Sequence, residues 1–413
     1  MISVNRHTLD NGLRIVHSED LTTQMVAINV LYDVGARDES PERTGFAHLF
    51  EHLMFEGSVN IPIYDIPLQE AGGENNGWTT NDVTNYYLTL PRQNVETGFW
   101  LESDRMLSLS FSPESLEVQR QVVMEEFKQR YLNQPYGDVN HLVRNLVYTV
   151  HPYRWPTIGL ELSHIATATL DEVKSFFYSH YAPNNAILSV VGHISFEETV
   201  LLAEKWFGPI PQRNITPRNL PQEPLQTEIR RLEVERNVPL DALYLNFRTC
   251  GRRHPHYYAT DMLSDLLANG QSSRLIQHLV KERPLFSQID AYITGSMDDG
   301  FLQITGKPLP DVSLDEAEKA IWQELELLQS QLASQDELEK VKNRFEAVHT
   351  FNGMNFLNNA INLAQFELIG CAEELNNEVS RYCSITAEEI RAVAKELFRK
   401  ENCSVIWYKR VKE

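Results

Sequence analysis

The sequence predicts an α+β fold made of two similar halves, each a mainly antiparallel sheet with helices packed on it. Three observations predict it. Runs rich in β-branched and aromatic residues, at 25–32, 84–91, 186–192 and 242–248, alternate with amphipathic stretches. Five prolines within residues 209–224 mark a break in the chain. Beyond that break the pattern recurs: residues 242–252, a strand followed by Thr249-Cys250-Gly251-Arg252, echo residues 28–37, which end Val34-Gly35-Ala36-Arg37. The expected division is therefore a first domain at 1–210, a linker at 211–228 and a second domain at 229–413.

Composition bounds the function. At 413 residues the chain is too long for one ordinary core. Hydrophobic content of 42% with 23% charged residues describes a globular protein, and no apolar run is long enough to span a membrane. The net charge of −20 argues against a nucleic-acid partner, because phosphate binding wants clustered Lys and Arg. It serves solubility, or it lines an interior that attracts basic peptides. Cys250, Cys371, Cys383 and Cys403 form no C-x-x-C pair, so they are expected as buried free thiols rather than a zinc site. Residues 1–6 lack an apolar signal core. A cytoplasmic location is expected, or a periplasmic one if a leader preceded them.

Taken in order, residues 7–17 read as two short strands around Asn11-Gly12. Residues 25–32 form the next strand. A polar loop leads to a helix expected over 44–57, with Thr44 as N-cap and Gly57 closing it. Residues 66–71 are helical. Residues 74–79 turn into the Thr/Tyr-rich strand at 84–91, which presents either an open edge or an ordinary hairpin. Helices come next at 94–107 and 113–132, the second opened by Ser112-Pro113. After the strand at 186–192 comes a helix at 195–207. In the second half a helix at 256–268 stands where the 44–57 helix stood. It carries Asp261 and Asp265 but no histidine pair.

The chemistry concentrates in His48-Leu49-Phe50-Glu51-His52. On a helix, histidines four apart share a face at about 5–6 Å and can grip one metal ion. Phe46, Leu49, Phe50 and Leu53 form the apolar stripe, leaving His48, Glu51 and His52 opposite it. A solvated polar face is the alternative, but that face holds no Lys or Arg, and Phe55 projects on the same side. Glu51 suits a base acting on metal-activated water. A catalytic zinc needs a third protein ligand. A carboxylate on the 113–132 helix, which carries Gln119, Glu125 and Glu126, would complete the set.

His-x-x-Glu-His is the inverted zinc-peptidase signature. With it stand the Asn-Gly-Leu opening, Val-Gly-Ala-Arg, Gly57, and Gly72-Gly73-x-x-Asn76-x-x-Thr79 leading to Thr84-x-Tyr86 and Leu90-Pro91. Over nearly its whole length the chain resembles the pitrilysin-type zinc peptidases, in the branch of the mitochondrial processing peptidase and its small bacterial relatives. The resemblance implies two halves facing as a clamshell, a Zn²⁺ cofactor and hydrolysis of unfolded peptides in a closed chamber. It implies His48, His52 and Glu126 as ligands, with Glu125 as fallback, and Glu51 as the base. It implies an extended peptide held along Asn76, Gly77, Trp78 and Thr79. Where the family often has a glutamate supporting the site from behind the ligands, Gln119 stands. Active single-chain members also carry an Arg and a Tyr beyond a Ser-Ser-Arg-Leu stretch, here Ser272-Ser273-Arg274-Leu275. The matching positions are Val280 and Ser287. The expectation is the zinc-bearing subunit of a heterodimer whose homologous partner supplies that pair. A self-sufficient homodimer and a non-catalytic assembly subunit are the alternatives.

Overall fold

The computed structural model describes residues 1–411. The chain forms two compact units. The first comprises Met1–Arg130, Trp155–Pro221 and Thr350–Asn377; the second comprises Tyr131–Arg154, Gln222–His349 and the chain from Glu378 onward.

The first unit holds a six-stranded sheet of order β1-β2-β6-β3-β5-β4, from β1 Asn5–Thr8, β2 Arg14–Glu19, β3 Met25–Tyr32, β4 Glu74–Thr79, β5 Thr84–Pro91 and β6 Ala186–Gly192. Only β2 and β6 run parallel. The second unit holds a five-stranded sheet of order β7-β11-β8-β10-β9, from β7 Arg230–Arg236, β8 Ala242–Arg248, β9 Phe286–Ile293, β10 Phe301–Pro308 and β11 Cys403–Arg410. Its one parallel pair is β7 with β11. The order β2-β6-β3-β5-β4 thus maps one-to-one onto β7-β11-β8-β10-β9. Side-chain register repeats too: Asn29 opposes Ser189, and Asn246 opposes Ser404. The two halves are homologous copies of one α+β plan.

The expected strands at 25–32, 84–91, 186–192 and 242–248 match the observed ends, because these central strands bury nearly every residue and so are rich in apolar, β-branched and aromatic side chains. Among the helices are α1 Phe46–Leu53, α2 Pro113–Phe127, α3 Val139–Val147 and α4 Tyr257–Ala268. Two more, α5 Gln335–Gly353 and α6 Phe356–Ile369, lie later in the chain. Ser112 caps α2, its hydroxyl accepting from the amides of Glu114 and Ser115.

The chain passes from the first unit to the second at Pro221, inside the expected linker, yet two segments cross over as well. Residues 131–154 belong to the second unit, where α3 buries Val143 and Val147 against Ala242, Tyr244 and Ile406. Residues 350–377 belong to the first, where α6 packs on β2, β3 and β6. Each buried aliphatic side chain contributes about 1.5–3 kcal/mol. Apolar periodicity marks such a helix as amphipathic without saying which sheet it will cover.

Four local expectations are corrected. The helix carrying His48, Glu51 and His52 spans 46–53, not 44–57. Thr44 does not cap it, because its hydroxyl accepts from the Leu160 amide and pairs with His164. Gly45 takes the N-cap position at φ +90. Gly57, at φ +109, turns the chain beyond the helix, where a Cβ would lie 2.4 Å from the Pro62 carbonyl oxygen. The cysteines are all free, but only Cys403 is buried, and Cys383 is exposed near the end of the short helix Glu378–Ser384.

Candidate active site

Helix α1 is held at its apolar face and at its N-terminus. Its apolar stripe, Phe46, Leu49, Phe50 and Leu53, is buried. The Phe50 ring stacks on Phe176 at 5.2 Å and on Tyr181 at 5.1 Å between centroids. Its N-terminus is capped from a distance. The buried Glu39 carboxylate accepts from the Gly45 amide at 2.9 Å and the Ala47 amide at 2.8 Å. This satisfies two amides that a helix start leaves orphaned and sets a carboxylate at its positive end. Burial holds the Glu39 pKa well above the usual carboxylate range, against the pull of those two amides.

The opposite face carries His48, Glu51 and His52, with the two imidazole centroids 5.0 Å apart. Helix α2 presents Glu126 to them. Its Oε2 lies 3.6 Å from His48 Nε2 and 3.5 Å from His52 Nε2. These separations are long for hydrogen bonds. They suit a shared cation: zinc bonds of about 2.0–2.1 Å at a tetrahedral angle place neighbouring donors about 3.4 Å apart. Among the described residues, these three are the group whose ligand atoms converge, all within 4.8 Å of one another. Two nitrogens and one carboxylate oxygen are the donor set of a catalytic zinc with an open fourth position. The residues present fit the ion. Burial pushes the His48 imidazole down to about 4, so it is neutral and its lone pair available at physiological pH. Glu126 is held below the usual carboxylate range, first by His52 and then by His48 and Arg130.

Glu125 points elsewhere and pairs with Lys128 at 2.5 Å. Gln119 donates through Nε2 to Glu56 at 2.5 Å. A glutamate at 119 would repel Glu56, which accounts for the amide there. Glu51 sits beside the donor group. Burial raises its pKa, and the Thr79 hydroxyl, also buried, and then His52 oppose that rise. Thr79 ends β4, the outermost strand of the first sheet, which packs against α1. Asn76 Oδ1 accepts from the Gly77 amide at 2.8 Å. Gly77 leaves room for two rings: a Cβ there would lie 3.0 Å from Tyr86 and 3.3 Å from Phe55. Those rings rest on the fully buried Arg105–Glu102 pair, with Arg105 4.5 Å from the Tyr86 centroid and 5.4 Å from that of Phe55.

The second unit has no such group among the described residues. On α4, Asp261 accepts from the Tyr382 hydroxyl at 2.6 Å and Asp265 from the Asn269 amide at 2.5 Å. Val280 packs against the core, and the Ser287 hydroxyl donates to the Lys307 carbonyl at 3.0 Å. Sequence reading missed Glu39, six residues before the first amide it caps, and Arg130, whose Nη1 lies 2.9 Å from Glu126 Oε1. The i,i+4 spacing of Glu126 and Arg130 was the available signal for the second.

Comparison with known proteins agrees with this division of labour. The family model described as Insulinase (Peptidase family M16) matches residues 14–152, and Peptidase M16 inactive domain matches residues 167–345. The zinc protease PqqE of Helicobacter pylori is 30% identical over 97% of this chain and 92% of its own length. The chain belongs to peptidase family M16. The uncharacterized zinc protease YmxG of Bacillus subtilis is 26% identical over 96% of each chain. A crystal structure of a protease from Helicobacter pylori superposes with a TM-score of 0.92 at 28% identity, covering 99% of this chain and 100% of that one. The M16 structure from Pseudomonas fluorescens, at 16% identity and a TM-score of 0.90 over 100% and 99% of the two chains, shares the fold. No helix among the described residues is long and apolar enough to cross a membrane.

Proposed function

We propose that this chain is a zinc-dependent endopeptidase that cleaves unfolded peptides. One observation carries the reading: His48, His52 and Glu126 converge from two helices while Glu51 stands beside them on the face next to an open sheet edge. When bound there, zinc supplies Lewis acidity, acidifying a water and polarising a peptide carbonyl. The protein's own groups do the rest. Glu51 takes a proton from the attacking water and delivers it to the departing amine nitrogen as the C–N bond breaks. An extended peptide adds to β4 as a further strand along Asn76 to Thr79, main chain to main chain, which favours unfolded substrates.

The family names support the chemistry, and the second half, matched by the inactive-domain model, supplies scaffold. Val280 and Ser287, where the resemblance calls for Arg and Tyr, support a homologous partner subunit that completes the grip on substrate. Glu51→Gln tests the assignment. The variant is expected to keep its zinc and lose cleavage of an unfolded peptide, in the presence of the partner where one is needed. Cleavage at the wild-type rate would overturn the role of Glu51.

A further inference from the structure

Glu126 is gripped from two sides. Oε2 faces the histidine nitrogens, and Oε1 is paired with Arg130 Nη1 at 2.9 Å. Arg130 sits in a π-helical turn, Lys128–Leu132, that begins directly where α2 ends. A carboxylate has two oxygens, and both can ligate one metal. Doing so would consume the open position that a catalytic zinc keeps for water.

We infer that Arg130 is a positioning residue for the metal site, its guanidinium, one helical turn beyond Glu126, holding Oε1 so that only Oε2 ligates. The inference rests on the zinc reading proposed above and deepens it. Arg130 lowers metal affinity by its charge and raises it by fixing the carboxylate. Its side chain is 66% exposed, so solvent and salt weaken its long-range repulsion of the cation more than its direct 2.9 Å contact with Oε1. Fixing the ligand wins. The neighbouring Lys128–Glu125 pair, on the same helix end and of the same exposed kind, touches no ligand and supplies an internal control.

The test uses the full-length chain. Zinc affinity is measured by competition with a chromophoric chelator, and bound Co²⁺ is followed by its visible absorption, which weakens as coordination number rises. R130Q is expected to bind zinc about tenfold more weakly, in the range seen when groups that orient metal ligands are removed. Its cobalt spectrum should show a weaker band, while the melting temperature of the metal-free protein stays that of wild type. R130K should recover part of the affinity, and K128Q should match wild type in all respects. Zinc affinity and a cobalt spectrum unchanged in R130Q would overturn the role of Arg130 and leave the zinc reading standing. A wild-type chain that takes up no zinc would overturn both.

Discussion

Glu39→Ala removes the distant cap of α1, the helix that carries His48, Glu51 and His52. The substitution deletes two hydrogen bonds, of 2.9 and 2.8 Å, from a carboxylate to buried amides. Removing them leaves two buried amides unsatisfied, at about 1–3 kcal/mol each. The carboxylate's desolvation, visible in its raised pKa, offsets part of that sum. A net loss of about 2–3 kcal/mol remains, concentrated in the first turn of α1. Because about 1.4 kcal/mol is tenfold in an opening equilibrium, amides of residues 45–53 should exchange with solvent deuterium about 30- to 150-fold faster. Hydrogen exchange read by mass spectrometry on peptides spanning that helix measures this. Glu42→Ala, in the same loop but exposed and bonded locally to Ser40, should leave the exchange unchanged. Equal protection of α1 in Glu39→Ala and wild type would refute the claim that Glu39 holds the helix.

Packing and charge each supply one further outcome. Gly77→Val forces a branched side chain against the Tyr86 and Phe55 rings, and urea unfolding should report a loss of about 1–3 kcal/mol; an unchanged midpoint would mean the rings have room to move. Burial lifts the Asp261 pKa from 3.8 to about 6, so the folded state binds its proton more tightly than the unfolded chain. That group therefore favours the fold below about pH 4, and the contribution fades as pH rises through about 6. Asp261→Asn keeps an acceptor for the Tyr382 hydroxyl and removes the titration. Relative to wild type, the variant should gain about 2–3 kcal/mol on going from pH 4 to pH 7 in denaturant unfolding, and a pH-independent difference would contradict the burial argument.

The parts legible in the sequence are those decided by local patterning. Central strands such as β3 and β6 announce themselves because nearly every side chain is buried and β-branched or apolar. The spacing of His48, Glu51 and His52 is likewise a local fact about one face of one helix. The ends of that helix were not legible, because its cap comes from Glu39 across a loop and Thr44 serves the Leu160 amide instead. Nor were the exchanged segments legible, since the apolar faces of α3 and α6 carry no mark of the sheet they will cover. The choice between Glu125 and Glu126 needed the rotation of α2 relative to α1, which places one on the histidines and the other on Lys128. Gln119 became intelligible only once Glu56 was seen beside it.

The most direct test of the zinc site is anomalous diffraction at the zinc edge from crystals grown with the metal. One strong peak is expected among His48 Nε2, His52 Nε2 and Glu126 Oε2, about 2 Å from each. The peak should vanish in His52→Ala. Full zinc occupancy elsewhere in the chain, or none in the wild type, would contradict the assignment of these three residues as the metal site.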